Sequence, residues 1–205
     1  MNPKGTNRSV RRTKEMLRQG LTELLTEKPA KSISVREITE RININRGTFY
    51  LYYKDVFDMI EQLENEMLEE YKDIVLSHAP KANGDIPTPI LFDLYSFVLD
   101  NADMCLALIG PNGDISFVNK LKELMRDRLL YYWKLLTRGQ YGDYFEYFYS
   151  FLMSGCFGLF EAWLKNGTKE SPKEMSDLTE KMLITMAKEL DQISGRAGAA
   201  KTNVL

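Results

Sequence analysis

The stretch "ININRGTFYLYYKD", residues 42–55, places four aromatic rings within positions 49–53, directly after Arg46-Gly47-Thr48. Rings this dense ordinarily belong to a core, whereas the arginine and threonine beside them belong on a wet surface. Helical spacing separates the two. Phe49 and Tyr53 lie four apart and share one face, toward which Ile42 and Ile44 approach from the preceding turn. Tyr50 stands about 100° round the helix from Phe49 and falls with Arg46 on the outward side. Tyr52 also points away from Phe49. Two rings pack and two present; a core reading of all four is weaker, because a three-helix unit has only one inner face.

Working outward, apolar residues recur at helical spacing almost throughout, with no alternating strand. A first helix is predicted from Ser9 to Glu27, with Val10, Leu17, Leu21, Leu24 and Leu25 on one face. "KPAK" ends it, since proline cannot continue a helix and disfavours helix in the residue before it. Ser34 followed by Glu37 is a capping box for a short second helix, with Val35, Ile38 and Ile42 inward. Asn45 caps the third helix, "RGTFYLY". Asp55 opens a long helix to residue 78, with Phe57, Ile60, Leu63, Met67, Tyr71 and Ile74 at steps of three and four. At about 23 residues it spans roughly 35 Å and reads as a connecting rod.

The polar "SHAPKANGDIPTP" is the one clear loop. Five further helices are predicted at 88–100, 102–109, 114–137, 141–165 and 172–192. Of these, "YFEYFYSFLMSGCFGLFEAWL" is apolar on nearly every face and reads as buried all round, part of its surface covered by a second copy. The last carries a stripe of Met175, Leu178, Met182, Leu183, Met186 and Leu190. The tail "SGRAGAAKTNVL" reads as disordered. The fold class is therefore all-α with about nine helices. A three-helix domain, 1–54, is joined by the helix 55–78 to a helical body, 55–205.

Charge divides the same way. Residues 1–54 hold 12 Lys/Arg against 5 Asp/Glu, a net +7, and the remainder holds 15 against 24, a net −9. A basic module on an acidic body is drawn to a polyanion at one end, although an excess of this size also arises from a chance split. No apolar run approaches the roughly 18 residues of a membrane span. The basic N-terminus lacks the apolar core of a secretion signal, so the expected location is cytoplasmic, with no membrane partner.

Cys105 and Cys156 sit singly in apolar segments and read as two buried thiols. With one histidine, His78, and no CxxC pair, a His/Cys metal site has almost no raw material. The same shortage removes Ser-His-Asp and Cys-His chemistry unless His78 is the base, and its place beside "APKANGDIPTP" reads as surface or capping. Without a phosphate-cradling glycine motif either, neither an enzyme nor a cofactor is expected. Pairs such as Glu69–Glu70 read as solvated helix face.

Two short helices joined by a tight turn, behind a longer first helix, form the helix-turn-helix arrangement that reads duplex DNA. Gly47 lets the backbone approach, while Arg46 and Thr48 offer a guanidinium fork for guanine and a hydroxyl and methyl for other base edges. Lys54 and a tyrosine hydroxyl would hold phosphates.

"SVREITERININRGTFYLYYKDVFDMI" resembles the N-terminal DNA-binding domain of the TetR/AcrR family of bacterial transcriptional regulators, over roughly residues 9–60. "DNADMCLALIGPNGDISFVNKLKELM" and "YFYSFLMSGCFGLFEAWLKNG" resemble, more weakly, the Firmicutes-type C-terminal domain of that family. The resemblance implies an all-helical homodimer acting as a sequence-specific regulator, a repressor released from operator DNA by an effector in the C-terminal domain. By motif position it implies that Ser34 binds phosphate, that Asn45, Arg46, Gly47 and Thr48 enter the major groove, and that Tyr50, Tyr52 and Lys54 meet backbone phosphates.

Two positions depart from the family pattern. Val56 stands where a phosphate-binding lysine is frequent, and Tyr52 where many members have histidine. A ligand cavity, where present, has the candidate wall Phe92, Tyr95, Leu108, Phe117, Leu124, Tyr144, Phe148 and Phe151, although a plain core role has about twice the weight for each. The last two helices would pair with their copies in the partner through Phe157, Phe160, Trp163, Leu178, Met182 and Met186. The alternative keeps the fold but makes the body a protein-interaction module, regulated by or recruiting a protein partner. A sizeable closed cavity discriminates between the two.

Overall fold

The computed structural model describes residues 3–78, 88–109, 115–136 and 145–186. Helices α1 (Pro3–Glu27), α2 (Val35–Arg41), α3 (Arg46–Tyr50), α4 (Val56–Ser77), α5 (Thr88–Asp100), α6 (Ala102–Ile109), α7 (Ile115–Leu136) and α8 (Phe145–Lys165) are followed by helical residues 172–186, here α9. A single 3-10 turn, Ala30–Ser32, bridges α1 and α2, and no strand occurs among the described residues. The tail beyond 186 and the segment 137–144 lie outside them.

Local chemistry explains most boundaries. Ser34 and Glu37 form the reciprocal capping box: Glu37 N–H donates to Ser34 Oγ at 3.3 Å, and Ser34 N–H to Glu37 Oε2 at 3.0 Å. Asp55 caps α4 by accepting from Asp58 N–H at 2.9 Å, while Asp58 Oδ2 accepts from Lys54 N–H at 2.8 Å. Ser171 and Glu174 repeat the device before α9, with Pro172 beginning the helix. After Trp163, Gly167 takes φ 77° and accompanies a 3.0 Å bond from Thr168 N–H to Trp163 O, the glycine-dependent ending that satisfies last-turn carbonyls. The turn between α2 and α3 passes through Asn43 at φ 52°, left-handed backbone that asparagine tolerates better than most residues.

The chain packs as two compact units. Unit 1 comprises Met1–Glu70 and Asn101–Lys120, and unit 2 comprises Tyr71–Asp100 and Leu121–Leu205. This division by packing differs from the division at residue 54 read from charge and motif. Helix α6 joins α1: Arg18 donates to the buried Asn101, and Cys105 lies buried nearby with its thiol pushed up to about 12 by burial. The α1 core residues are Leu17, Leu21, Leu24 and Leu25, as its spacing predicts.

Helix α4 turns a slightly different face inward than its spacing suggested. Val56, Met59, Leu63, Met67, Tyr71 and Val75 are buried, whereas Phe57 is 61% exposed. Both stripes obey the helical period and share Leu63, Met67 and Tyr71; only the packed neighbours choose between them.

Glycine is required where α1 meets α2. A Cβ on Gly20 would lie 2.7 Å from Ile42 Cγ2 and 3.3 Å from Ile38 O. Gly20→Ala is therefore expected to destabilise the protein by about 1–3 kcal/mol, the usual range for overpacking. It should lower the urea midpoint at constant slope; an unchanged midpoint would mean that Ile42 moves aside freely.

Candidate nucleic-acid interface and internal cavity

The aromatic cluster of unit 1 divides as its spacing predicts. Phe49 is fully buried and Tyr53 is 3% exposed, their ring centroids 5.6 Å apart. Tyr50 meets Phe49 edge-on at 5.6 Å and 83° yet is 58% exposed, and Tyr52 is half-buried. Burial pushes the Tyr53 phenol up to about 12, and Lys14 Nζ lies 5.8 Å from the centre of its ring. Helix α3 is shorter than expected, ending at Tyr50 with Leu51 as its cap, so Tyr52, Tyr53 and Lys54 lie just past it. Bonds from Tyr52 N–H and Tyr53 N–H to Phe49 O, 3.0 and 3.1 Å, extend the coil far enough to bury Tyr53.

At the leading end, Asn45 Oδ1 accepts from Gly47 N–H at 2.7 Å, so the Asn45 side chain is committed to capping. Asn45, Arg46 and Gly47 are exposed and Thr48 is half-buried. Ser34, also exposed, is less available than its motif position implies. Its N–H and its hydroxyl both donate to Glu37 Oε2, at 3.0 and 2.8 Å, so a phosphate there would have to displace a carboxylate.

Pairing sorts the cations. Lys28 is bonded to Glu37, Arg36 to Glu40 at 2.6 Å, and Arg41 to Glu27 at 2.8 Å and Glu23 at 3.5 Å. Arg46 and Lys54 are exposed and make no ion pair among the described residues. The same holds for Arg8, Arg11 and Arg12 on α1, three exposed cations that motif reasoning passed over. Their signal was in the sequence, since no acid occurs before Glu15. Val56, at the missing lysine position, is 5% exposed and part of the core.

Unit 2 holds a partly open cavity of about 100 Å³. Tyr71 and His78 line it from the end of α4, Ile90, Leu91 and Leu94 from α5, and Met125, Arg128 and Leu129 from α7. Leu152, Met153, Cys156, Phe157 and Phe160 of α8, with Thr179 and Leu183 of α9, complete the wall. None of the seven described residues expected there lines it. Tyr95 is fully buried beside it, its hydroxyl 2.7 Å from Thr179 Oγ1 and its ring edge-on to Phe160 and Trp163 at 4.7 and 5.3 Å. Burial raises the Tyr95 phenol to about 12, against the opposing Thr179 bond. Leu108 and Phe117 are buried in unit 1, Phe92 and Phe151 are exposed, Leu124 and Phe148 are half-buried elsewhere, and Tyr144 lies outside the described residues. Aromatic content marked core positions without saying which of them border a void.

The residues expected at a dimer face also divide. Trp163 is 2% exposed and its Nε1–H donates to Glu170 O at 3.0 Å, while Phe157 and Phe160 line the cavity. All three point inward. The outward stripe of α8 is instead Tyr147, Phe151, Ser154, Gly155, Gly158 and Ala162, all exposed. On α9, Leu178 and Met182 are 42% and 49% exposed and Met186 is half-buried.

His78 is half-buried at the C-terminal end of α4. Its Nδ1 lies 3.0 Å from Ile74 O and its Nε2 3.2 Å from Asp93 Oδ2, so the capping reading of this residue agrees with its position. Both cysteines are free; Cys156 is half-buried, its thiol raised to about 11 by burial. Among the described residues no cluster of three metal-ligating side chains occurs, and no helix is long and apolar enough to cross a membrane.

Comparison with known proteins places these features. Residues 85–185 match the TetR-type family described as "Transcriptional regulator C-terminal region". A 53-residue stretch is 36% identical to the uncharacterized HTH-type transcriptional regulator YxbF of Bacillus subtilis (strain 168). That match covers 26% of this chain and 14% of the length of the relative. Among solved structures, a TetR-family transcriptional regulator from Streptomyces coelicolor superposes with a TM-score of 0.61 at 15% identity, over 91% of this chain and 86% of that one. The fatty acid degradation regulator FadR from Bacillus halodurans gives 0.60 at 12% identity, over 83% and 94%. At such identities the superpositions show the fold. Residues 85–185 thus belong with a TetR-type family of transcriptional regulators, and the chain shares the all-helical fold of the TetR-family regulator from Streptomyces coelicolor.

One electrostatic feature of unit 1 is open to direct titration. Lys28 foremost, then the Ser34 hydroxyl and N–H, hold the Glu37 carboxyl at about 2, below its ordinary 4.5. A depressed folded-state value contributes stability that is fully present above pH 4.5 and is lost as pH falls toward 2. Carboxyl NMR titration should place the Glu37 midpoint at about 2, and Lys28→Ala should move it upward. A wild-type midpoint at 4.5 would mean that the Lys28–Glu37 contact does not form in solution.

Proposed function

We propose that this regulator is a cytoplasmic, sequence-specific DNA-binding homodimer that leaves its operator when an effector occupies the cavity of unit 2. The observation that carries the DNA reading is the pairing pattern of unit 1. Its structural cations are neutralised by neighbouring carboxylates, while Arg46 and Lys54, at and just past the exposed α3, make no ion pair among the described residues. Arg46 and Thr48 would read base edges, while Tyr50 and Lys54 would hold phosphates and set register. Arg8, Arg11 and Arg12 would extend the electrostatic footprint. Ser34 is left out of this set because Glu37 occupies its donors.

The outward stripe of α8 supports the homodimer. A Cβ on Gly155 or Gly158 would meet nothing within 4 Å, so packing inside the chain does not call for glycine at either place. Glycine inside a helix is less favourable than alanine by about 1 kcal/mol. A second helix lying close against this face supplies the missing reason. Tyr147 and Phe151 flank the small residues, and Leu178 and Met182 of α9 add apolar area. Release of DNA then requires that the effector favour one spacing of the two reading heads over another, since recognition helices enter successive major grooves about 34–36 Å apart. Helix α4, continuous from Val56 to Ser77, belongs to unit 1 at one end and unit 2 at the other.

Selection of duplexes from a random pool, followed by salt titration, tests the DNA reading. Arg46→Ala should cost about 1–3 kcal/mol and relax preference at one base pair, while Lys54→Ala should weaken all duplexes alike and flatten the salt slope by about 1. Equal binding by both variants and the wild type would reject it. For the dimer, Gly158→Arg should sediment as a folded monomer; a dimer that survives this substitution would place the interface elsewhere.

A further inference from the structure

The wall of the cavity carries a cation that no carboxylate answers among the described residues. Arg128 of α7 lines a space otherwise formed almost entirely by aliphatic, aromatic and sulfur-bearing side chains, and it makes no ion pair among the described residues. Its neighbour Arg126 is paired with Glu146 and lies over the rings of Phe145 and Tyr149. Two other polar side chains of the wall are committed. His78 Nε2 faces Asp93, and the Thr179 hydroxyl bonds to Tyr95 and to Met175 O. Among the described residues Arg128 itself reaches two backbone carbonyls, Leu76 O and His78 O, each at 3.4 Å. That is the long limit of a hydrogen bond, and a guanidinium bonded so loosely can exchange its partners for a better acceptor.

We propose that the cavity takes a compact organic monocarboxylate, its apolar part among Leu94, Met125, Leu152 and Phe160 and its carboxylate on the Arg128 guanidinium. This names the ligand class of the effector site and rests on the effector reading given above. Charge and size both enter. A carboxylate offers Arg128 two charge-assisted bonds at about 2.8 Å in place of two at the geometric limit. No negative charge on the wall competes, because burial holds the Cys156 thiol up at about 11 and raises the Tyr71 phenol further still. The volume of about 100 Å³ lies below the roughly 300–1,000 Å³ of drug-sized sites. It is nearer the ~150 Å³ that admits a benzene ring in an apolar cavity. The apolar part is therefore a single ring or a short chain.

The position of Arg128 also supplies a consequence for the helix. Leu76 O and His78 O belong to the C-terminal end of α4, where carbonyls have no partner within the helix. A bound carboxylate draws the guanidinium from these carbonyls and leaves that end of α4 held by the His78–Asp93 contact to α5 and by the His78 and Ser77 contacts to Ile74 O. Ligand binding and the tethering of α4 thus compete for one side chain.

Calorimetric titration of the full chain with benzoate and hexanoate, each against its neutral amide, tests the assignment. The acid should bind at least about tenfold tighter than the amide. Arg128→Met, which keeps an apolar stem, should bring acid and amide to within about twofold, and Arg128→Lys should restore part of the preference. Leu152→Trp, which fills the space, should abolish binding of both. Circular dichroism confirms that each variant is folded. Equal binding of acid and amide by the wild type, no binding of either, or undiminished acid preference in Arg128→Met would overturn the proposal. A selected duplex in the same preparations separates the two readings: duplex binding without carboxylate binding rejects this inference and leaves the DNA reading standing. Carboxylate binding that leaves duplex affinity unchanged supports the site and rejects its role as effector site.

Discussion

The complete burial of Phe49 is the constraint on which the exposed face of α3 in unit 1 depends. Helix α3 has only five residues, too few to hold its own orientation, since isolated helices of that length do not persist in water. Its rotation about its axis is fixed by which side chain is driven inward. With Phe49 fully buried and Tyr53 almost so, Arg46 and Tyr50 have no choice but to face out. The turn residue Asn43 and the close approach at Gly20 serve the same end, bringing α2 near enough to α1 for α3 to find a core to enter.

Electrostatics completes what packing begins. Carboxylates on α1 and α2 neutralise Lys28, Arg36 and Arg41, all of which staple helices together or support one helix. Exposed pairs of this kind contribute little stability each. Their larger effect is selective, because they leave a small set of cations at α3 and α1 available to an outside anion. Unit 2 repeats the contrast in miniature, with Arg126 answered by Glu146 and Arg128, among the described residues, by backbone carbonyls.

Much of the fold was legible because it follows from local rules. The capping box at Ser34, the cap at Asn45, the stop at Pro29 and the inward face of α1 are all short-range chemistry, and the structure repeats each of them. The inward face of α4 was legible only in part, since its leading turns offer Phe57 and Ile60 as readily as Val56 and Met59. Helix α8 defeated pattern reading altogether. A helix apolar on every side gives no phase to its own period, so Phe157, Phe160 and Trp163 looked as suitable for a partner as for the core. The Trp163 N–H bond to Glu170 O and the cavity between α5, α7 and α8 exist only after the chain has folded.

The sequence by itself determined the all-α class, the start signals and the four-ring division at residues 49–53, because each rests on neighbours within about one turn of the chain. Tertiary structure alone decided that α6 packs with α1, which face of α8 is outward, and which residues border the cavity. It also decided that Arg128 lies against the end of α4, 50 residues away in the chain. Those outcomes depend on how surfaces distant in sequence fill space together, and no periodicity within a single helix encodes them.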